Sequence, residues 1–382
     1  MINTSVIIVG AGLTGLITAK YLEKLGIDYI VLDKYKIQKL AKTDLRTTAI
    51  NYTVSQNFQF LGLWNKLESQ VSKIDNILIR NNLNEADLYF SKEMIKASPM
   101  GYIIPNSVIK NHLIDCLDNE YLMSEQEVVD VKTKSDYVIA TTDKSLEIKA
   151  KLILVSDGKY SSLKKLFNIS ELQHDYQQAS HVFNVKHERS HDNLALEQFL
   201  SDGPIAFLPL KDPNQSSIVY TKSNNVTISN IDDIEAELNL IASDTYGAIE
   251  IISEIKSFPL SVSHSNQYYR SRMLFLGDSL HSMHPIAGQG FNLTMRDIER
   301  ITHLILKHKT LGMDIGSNIL LKSFEKIRKK DNILMLGSTH ALVKLFSNDN
   351  KLMNSARNLG LKLFGKSQRA KKSAIAYAMG LK

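Results

Sequence analysis

The N-terminal part of the chain alternates between short apolar runs and one amphipathic stretch. Residues 5–9 form a β-branched run that ends at Gly10, and the spacing of apolar residues over 13–25 predicts a helix. A second apolar run over 29–32 ends at Asp33. This pattern is typical of a strand, a helix and a second, parallel strand.

Strand and helix patterns alternate along the rest of the chain, and no internal repeat or low-complexity linker separates them. Helices are predicted at 48–61, at 106–117, from about 288, and from Asp331 onward. Strands are predicted between 117 and 148, and buried strands at 150–155 and 273–276. Short strands with polar turns are predicted at 73–90 and 177–226, and we expect these two blocks to share one sheet.

At 382 residues, the chain exceeds what one hydrophobic core usually organises. We therefore predict interleaved domains and an α/β fold class (α+β overall). A Rossmann-like domain would comprise 1–72, 98–175 and 264–330, and a mainly antiparallel β-sheet substrate domain would comprise 73–97 and 176–263. A helical C-terminal region would follow over 331–382.

The composition is that of an ordinary globular protein, with 43% hydrophobic and 23% charged residues. A net charge of +6 is too small to indicate a nucleic-acid partner. The single cysteine, Cys116, cannot form an internal disulfide, so a reducing, cytoplasmic location is expected. The apolar stretch at 6–19 lacks the basic n-region of a signal peptide, and no stretch is long enough to span a bilayer.

Positive charge accumulates at the C-terminal end, because no acidic residue follows Asp349. The basic residues there are Lys351, Arg357, Lys362, Lys366, Arg369, Lys371, Lys372 and Lys382. This segment could face water or could contact anionic lipid. The second interpretation predicts a peripheral position on the inner face of the cytoplasmic membrane.

A glycine motif, Gly10-Ala-Gly12-Leu-Thr-Gly15, matches G-x-G-x-x-G directly after a predicted strand and at the start of a predicted helix. Gly10 permits a tight turn, Gly12 lets backbone approach a pyrophosphate, and Gly15 lets the helix pack closely on the strand. Asp33 can then accept hydrogen bonds from a ribose diol. NAD and FAD both fit, since they present the same ADP half, and the alternative is a glycine turn without a ligand.

A second glycine motif, which we call the distal motif (residues 277–292), follows the predicted strand at 273–276. Gly277-Asp278 would bring a carboxylate to the carboxyl edge of the sheet, where it can bind a ribityl or ribose hydroxyl. Gly288-Gln289-Gly290-Phe-Asn292 opens a helix whose dipole favours nearby negative charge by about 0.3–1 kcal/mol. A reduced flavin carries such charge, whereas a nicotinamide enzyme needs no second site, so the distal motif indicates FAD.

Two histidines of the distal motif are candidates for chemistry. His281 or His284 could orient a substrate or relay a proton near neutral pH, or could be packed, hydrogen-bonded histidines. They lack acidic or cysteine partners at ligand spacing, so no metal site is predicted. No residue is singled out as the base that would deprotonate a phenol. Trp64 and Tyr102 belong either to a ring pocket or to the core.

These motifs resemble those of the class A FAD-dependent monooxygenases, and among them the ubiquinone-biosynthesis hydroxylases, which act on polyprenylated phenols. The resemblance covers nearly the whole chain and is most specific at 277–297 and at Leu345-Phe-Ser-Asn-Asp349. It also includes Asp44-Leu-Arg46-Thr-Thr-Ala49, Leu61-Gly-Leu-Trp64, Asp157-Gly158-x-x-Ser161, Gly203-Pro204-Ile-Ala-Phe-Leu-Pro209-Leu and Asp331-Asn332.

The resemblance implies an FAD-binding domain and roles for individual residues. Arg46 would contact the FAD diphosphate or flavin region, Asp157-Gly158 would lie where FAD and the reductant approach, and Asp278 would bind the ribityl chain. Pro285 and residues 288–292 would border the isoalloxazine, which makes Pro285 a further candidate near the chemistry. The family reduces FAD with NADH or NADPH, forms a C4a-hydroperoxyflavin with O₂, and hydroxylates an electron-rich ring.

The predicted function is therefore hydroxylation of a polyprenylated phenol or quinol in ubiquinone biosynthesis, with O₂ as co-substrate. Such a substrate requires membrane contact or a lipid-presenting quinone-biosynthesis complex. Three alternatives stay open. They are hydroxylation of small soluble aromatics, a non-catalytic flavoprotein that scaffolds such a complex, and a flavin reductase of prenyl double bonds on the same fold.

Overall fold

A computed structural model describes residues 1–41, 43–81, 87–94, 99–200, 202–224, 230–346 and 364–381. The strands are β1 (Ile2–Asn3), β2 (Val6–Val9), β3 (Tyr29–Asp33), β4 (Thr47–Asn51), β5 (Ser72–Ile74), β6 (Asn76–Asn81), β7 (Leu88–Ser91), β8 (Gly101–Pro105), β9 (Leu122–Ser124), β10 (Val128–Thr133), β11 (Val138–Thr142), β12 (Glu147–Ala150), β13 (Leu152–Val155), β14 (Glu171–His187), β15 (Leu194–Leu200), β16 (Gly203–Pro209), β17 (Gln215–Ser223), β18 (Ile249–Ile251), β19 (Lys256–Ser265), β20 (Tyr269–Arg270), β21 (Met273–Phe275) and β22 (His281–Ser282). The helices are α1 (Leu13–Lys24), α2 (Tyr52–Phe60), α3 (Trp64–Leu67), α4 (Asn106–Cys116), α5 (Ser162–Leu166), α6 (Ile231–Tyr246), α7 (Gln289–Thr310), α8 (Asn318–Phe346) and α9 (Gln368–Ala378). The predicted mixture of helix and sheet is confirmed.

A six-stranded sheet forms the first core, in the order β20-β21-β13-β2-β3-β9. Its central strands β21, β13, β2 and β3 run parallel. All residues of β2 and β13 are buried, as expected of parallel strands covered on both faces. The predicted strand-helix-strand unit at the N-terminus is therefore confirmed, and its carboxyl ends lie at the same edge as those of β13 and β21.

A larger, mainly antiparallel sheet forms the second layer, in the order β22-β19-β14-β17-β16-β15-β6-β7, with β18 paired to β14. The predicted sharing of one sheet by the two strand blocks is confirmed, because β6 pairs with β15. The prediction of short strands was wrong for β14, which runs for 17 residues. A bulge between Asp175 and Gln178 lets this long strand bend without ending.

The helix predicted at 48–61 begins later, so this part of the prediction was wrong. Thr47–Asn51 is instead strand β4, paired with β8, and helix α2 follows it. β-Branched residues favour the strand, and the Asn51 side chain accepts a hydrogen bond from the Val54 N–H, which fixes the start of the helix.

The C-terminal helices differ from the predicted start at Asp331. Helix α8 begins at Asn318, so Asp331 lies inside it, where its carboxylate pairs with Arg328 one turn away. Helix α9 returns to the N-terminal region, because the carbonyls of Ala378 and Met379 accept hydrogen bonds from Asn51 and Thr53. No helix in the described ranges combines the length and apolar character needed to cross a bilayer.

Candidate active site

The first glycine loop joins the end of β2 to the start of α1. Gly10 has a φ of +105°, and a Cβ on Gly15 would lie 1.8 Å from the carbonyl oxygen of Gly10. Both positions therefore require glycine for the turn and for close packing of helix on strand. Gly12 differs, because a Cβ there would meet no atom within 4 Å. The unpaired N–H groups at the start of α1 thus border open space that a pyrophosphate could fill.

Asp33 holds the loop in place from the end of β3. Its Oδ2 accepts a hydrogen bond from the Ala11 N–H at 2.6 Å, and its Oδ1 accepts one from the Tyr35 N–H at 2.8 Å. Each carboxylate oxygen can accept a further hydrogen bond. Asp33 can therefore position the loop and still bind the hydroxyls of a ribose.

Asp157 and Gly158 follow β13 at the same sheet edge. Asp157 Oδ2 accepts a hydrogen bond from Ser161 Oγ at 2.9 Å, but its buried Oδ1 has no partner among the described residues. Burial raises the pKa of Asp157. Gly158 has a φ of +85°, and its missing side chain faces open space. A polar cofactor group at this point would satisfy the unpaired oxygen.

Gly277 and Asp278 follow β21, again at this edge. A Cβ on Gly277 would lie 2.6 Å from Thr14 Oγ1, so the turn packs directly on the start of α1. Asp278 is exposed. Surrounding protein nevertheless raises its pKa through desolvation, which nearby His281 and Lys159 partly oppose. An exposed carboxyl that still has protein on several sides indicates a position on the wall of an open cleft.

The start of α7 is locked to strand β4. Gly288 has a φ of +59°, and a Cβ there would lie 2.7 Å from the Ala49 Cβ. The Asn292 amide donates to the carbonyls of Ala49 and Gly288, both at 2.9 Å, and its oxygen accepts from the Asn51 N–H. The Asn292 side chain thus fixes the helix start, and its contact with any cofactor would be indirect.

The other residues of the distal motif surround this helix start. Pro285 is half-buried and caps the short 3-10 turn Ile286–Gly288. Gln289, the first residue of α7, and Gly290 are also half-buried, and a Cβ on Gly290 would lie 3.3 Å from Met283 Cγ. Gly288 and Gly290 therefore serve close packing of this helix start on Ala49 and Met283.

His281 belongs to a buried charge network. Its Nε2 lies 2.6 Å from Asp297 Oδ2, and Asp297 Oδ1 accepts a hydrogen bond from Arg328 Nε at 2.5 Å. Burial alone would raise the pKa of Asp297, but His281 and Arg328 hold it below its usual value. Of the two sequence interpretations of His281, this geometry favours the packed, hydrogen-bonded histidine.

His284 has a different environment. It is 1% exposed, and neither ring nitrogen has a hydrogen-bond partner among the described residues. Burial lowers its pKa to about 4, so it is neutral near pH 7. Its ring meets that of Tyr176 edge to face, with centroids 5.1 Å apart. Buried imidazole nitrogens normally have hydrogen-bond partners. The lack of such partners for His284 indicates a place where a polar group could bind.

Tyr176 and His340, which are not among the residues predicted from the sequence, meet at this place. The Tyr176 hydroxyl lies 2.9 Å from Nδ1 of His340, although 164 residues separate them in the chain. The signal that could have found them is weak, because β14 carries no marker of its bulge and α8 no motif around His340. Only the packing of β14 against α8 brings the two side chains together.

Three other sequence candidates lie away from the cleft or are already paired. Arg46 is exposed and pairs with Asp44. Trp64 and Tyr102 are buried in the first core, with ring centroids 4.7 Å apart, which favours the core interpretation. They therefore do not form a ring pocket in this structure.

A basic cavity of about 490 Å³ opens beside Asp157-Gly158. Its lining includes Lys159, Tyr160, Lys164, Lys165 and Glu171. Buried Lys164 pairs with Glu171, which neutralises that acid. The two remaining lysines leave the cavity with a net positive charge that suits an anionic ligand.

Comparison with known proteins gives a family that fits this geometry. Residues 3–330 match the family described as FAD binding domain. Ubiquinone hydroxylase UbiL of Rhodospirillum rubrum is 31% identical, and the alignment covers 98% of this chain and 89% of that protein. The 3-demethoxyubiquinol 3-hydroxylase of Escherichia coli is 26% identical, with 99% of both chains covered.

The fold also matches a solved structure. The crystal structure of Klebsiella pneumoniae HpxO complexed with FAD and uric acid superposes with a TM-score of 0.79. The match covers 99% of this chain and 96% of that one, at 14% sequence identity. At this identity the likeness concerns the fold alone.

Proposed function

The chain belongs to the FAD binding domain family and is a flavoprotein monooxygenase, and we therefore propose that it hydroxylates the aromatic ring of a polyprenylated phenol or quinol in ubiquinone biosynthesis. The observation that carries the proposal is the nearly full-length similarity to two enzymes named for hydroxylation of ubiquinone or its precursor. The alignments cover 98% and 99% of this chain, so they span both glycine motifs as well as the strands of the core.

The residues at the carboxyl edge of the six-stranded sheet fit FAD. The start of α1 at Gly12 would hold the pyrophosphate, and Asp33 would bind the ribose. Asp278 would bind the ribityl chain, and the unpaired oxygen of Asp157 would receive a polar group of the cofactor. Pro285 and residues 288–292 would border the ring, with Asn292 acting through the backbone that it fixes.

Arg46 would reach the diphosphate or flavin region only after leaving Asp44. The chemistry that FAD would supply when bound is the activation of O₂ for transfer of one oxygen atom to the ring. The protein contributes orientation, exclusion of water and placement of protons around that reagent.

The basic cavity beside Asp157 would receive the reductant, NADH or NADPH. A dinucleotide carries at least two phosphate charges, which Lys159 and Lys165 could bind. The exposed ring of Tyr160, which lies beside Lys159, offers a surface on which a base could stack. The cavity thus combines the charge and the aromatic surface that such a ligand needs.

A polyprenyl substrate also requires access to lipid, and one face of α8 suits an anionic membrane surface. Exposed Lys322, Lys326 and Lys330 form no ion pair with a described acidic residue, and exposed Ile333 and Leu334 continue the face. We propose that this face rests on the inner leaflet of the cytoplasmic membrane, beside the quinone-biosynthesis machinery.

The basic C-terminal segment contributes less to this surface than its charge predicts. Lys371 is buried, with its ammonium 5.5 Å from the centroid of the Phe90 ring, while Lys366, Arg369 and Lys372 are exposed. Lys351, Arg357, Lys362, Lys382 and the tail residues 347–349 lie outside the described residues.

Complementation tests the proposed reaction. The chain should restore ubiquinone in an E. coli strain that lacks 3-demethoxyubiquinol 3-hydroxylase or one of its other ubiquinone hydroxylases, measured by mass spectrometry of quinones. A Gly12→Glu variant, which places a carboxylate in the open space of the loop, should bind no FAD and restore nothing. The purified protein should be yellow.

Three results would redirect the proposal. Fast oxidation of NADH or NADPH with a simple hydroxybenzoate, and no quinone product, would favour small aromatics as substrates. A yellow protein that consumes no O₂ and restores no ubiquinone in this strain would favour a scaffold. Prenyl saturation without O₂ consumption would favour a reductase.

A further inference from the structure

We propose that the hydroxyl of the substrate's ring binds at Tyr176 and that Tyr176 passes its proton to His340, with His284 orienting the ring hydroxyl. This inference rests on the proposed hydroxylation of a phenol, because only a phenol or quinol presents such a proton. It supplies the base that sequence analysis leaves unassigned. Tyr176 and His284 would touch the substrate, and His340 would act through Tyr176.

Three separate elements converge on this place. Tyr176 lies on β14 of the large sheet, His284 lies in the distal motif just before Pro285, and His340 lies on α8. The hydroxyl of Tyr176 donates to Nδ1 of His340 at 2.9 Å when the histidine tautomer leaves that nitrogen free. The pair therefore links the sheet to a helix directly beside the motif that would border the flavin.

The backbone of β14 is distorted where it presents Tyr176. Gln177 has a φ of +53°, and the register with β19 shifts between Asp175 and Gln178. A non-glycine residue in the left-handed region costs about 1–3 kcal/mol and is commonly found at functional sites. The bulge turns Tyr176 towards His284 and His340, so the distortion has a direct effect on the geometry of the site.

The surroundings suit an aromatic ring that carries one polar group. An apolar cluster of Phe199, Ile286, Val343 and Phe346 packs beside Tyr176. On Tyr176 itself packs His284, which is 1% exposed and whose two ring nitrogens are unpartnered among the described residues. A ring hydroxyl would provide the partner that this imidazole lacks, while the apolar side chains would contact the ring and the start of its prenyl chain.

The proton transfer balances without any other reagent. The substrate O–H donates to the Tyr176 oxygen while the Tyr176 O–H donates to His340 Nδ1. A concerted shift leaves a substrate phenolate, a neutral tyrosine and a protonated His340. Half-exposed His340 then gives its proton to water. The phenolate is more electron-rich than the phenol, so its ring accepts oxygen more readily.

The charges around the pair favour release of that proton. Burial, Lys344 on α8 and His174 on β14 all lower the pKa of His340. The His174 ring lies 5.2 Å from that of His340 and 5.1 Å from that of Tyr176. Burial raises the pKa of Tyr176 and lowers that of His284. Tyr176 and His284 therefore both stay neutral near pH 7, so neither keeps the proton that the substrate releases.

Titration of a bound coloured phenol tests the relay without any hydroxylation. A 4-nitrophenol with a short prenyl tail absorbs visible light only as phenolate, so absorbance against pH gives the pKa of the bound probe. We expect wild-type holoenzyme to lower that pKa relative to free probe. Tyr176→Phe should abolish the shift, because the bound phenolate loses the hydroxyl that donates to it. His340→Asn should keep the shift but slow hydroxylation, while Tyr246→Phe, in the other core, and exposed His303→Asn should change neither.

The rate of product formation gives a second readout. Tyr176→Phe should slow hydroxylation near neutral pH about a hundredfold or more, which is the usual contribution of a positioned base. The rate should recover in alkali, where the substrate ionises unaided, and FAD content should not change. The relay would be overturned if Tyr176→Phe and His340→Asn kept the wild-type dependence of the hydroxylation rate on pH. It would also be overturned if the wild type left the pKa of the bound probe unchanged. A protein that shifts the probe but yields no ubiquinone would refute the proposed function alone.

Discussion

Asp297 lies at the centre of a buried network in which each charge depends on its partner. It is fully buried, and His281 and Arg328 both contact its carboxylate. Replacing Arg328 by Met should leave this carboxylate buried without its cation and lower the free energy of unfolding by about 3–5 kcal/mol. Urea unfolding followed by circular dichroism measures the loss. Arg300→Met, at an exposed position of the same helix as Asp297, is the control.

The same network makes the stability of the fold depend on pH. The folded-state pKa of Asp297 lies below its usual value of 3.8, so its contribution to stability is complete above that value. The contribution disappears as pH falls through the lower, folded-state pKa. The difference between wild type and Arg328→Met should therefore narrow in acid, and a difference that stays constant from pH 7 down to about pH 2 would contradict this account.

At the residue scale, the sequence predicted what lies in contiguous motifs. Gly10, Gly15 and Asp33 occupy the positions that their spacing indicates, because a strand, a turn and a helix place nearby residues in a fixed way. Tyr176 and His340 could not be predicted, since a bulge and a helix crossing bring them together across 164 residues.

At the element scale, strand β4 and helix α9 support the start of α7. The Asn51 N–H binds the Asn292 oxygen, and the Asn51 side chain donates to the carbonyl of Ala378 near the end of α9. The sequence predicted the long helix after Gly288 correctly because that stretch has a strong apolar period. It missed β4, where a strand of only five residues runs directly into a helix and the two periods merge.

The docking of α9 gives a prediction for this element. Ile375 and Met379 are buried in the cluster that joins α9 to β8. Ile375→Ala should therefore lower the free energy of unfolding by about 2–5 kcal/mol and weaken FAD binding by loosening β4. Thermal unfolding and flavin fluorescence measure the two effects. Leu381→Ala, whose side chain is 46% exposed, should change neither. Equal stability in both variants would show that α9 contributes nothing to the site.

At the scale of the whole molecule, strand β14 of the large sheet, the distal motif and helix α8 meet around Tyr176. The large sheet contributes Tyr176, the six-stranded sheet leads into the distal motif, and α8 contributes half-exposed His340. A lipid-like substrate that reaches this region from a membrane would pass close to α8. If α8 forms the proposed membrane surface, that surface and the site around Tyr176 would be coupled through this one helix.

Binding to lipid vesicles tests the proposed membrane surface on α8. Lys322, Lys326 and Lys330 recur every four residues along the exposed face of α8, so they can approach an anionic surface together. Each lysine near such a surface contributes roughly 1 kcal/mol, so reversing all three to Glu should weaken partition into phosphatidylglycerol vesicles by about a hundredfold or more. Added salt should also weaken the binding of the wild type to these vesicles, because it screens the lysine charges.

The control is a second triple variant, Lys36→Glu, Lys144→Glu and Lys211→Glu, which changes the net charge equally at exposed positions outside α8. It should bind anionic vesicles far better than the α8 variant does, because contact depends on local charge at short range. If both variants lose binding to the same extent, total charge governs association and α8 is no specific contact surface. If wild type binds neutral phosphatidylcholine equally well, the lysines play no part, and the exposed Ile333 and Leu334 would have to account for binding alone.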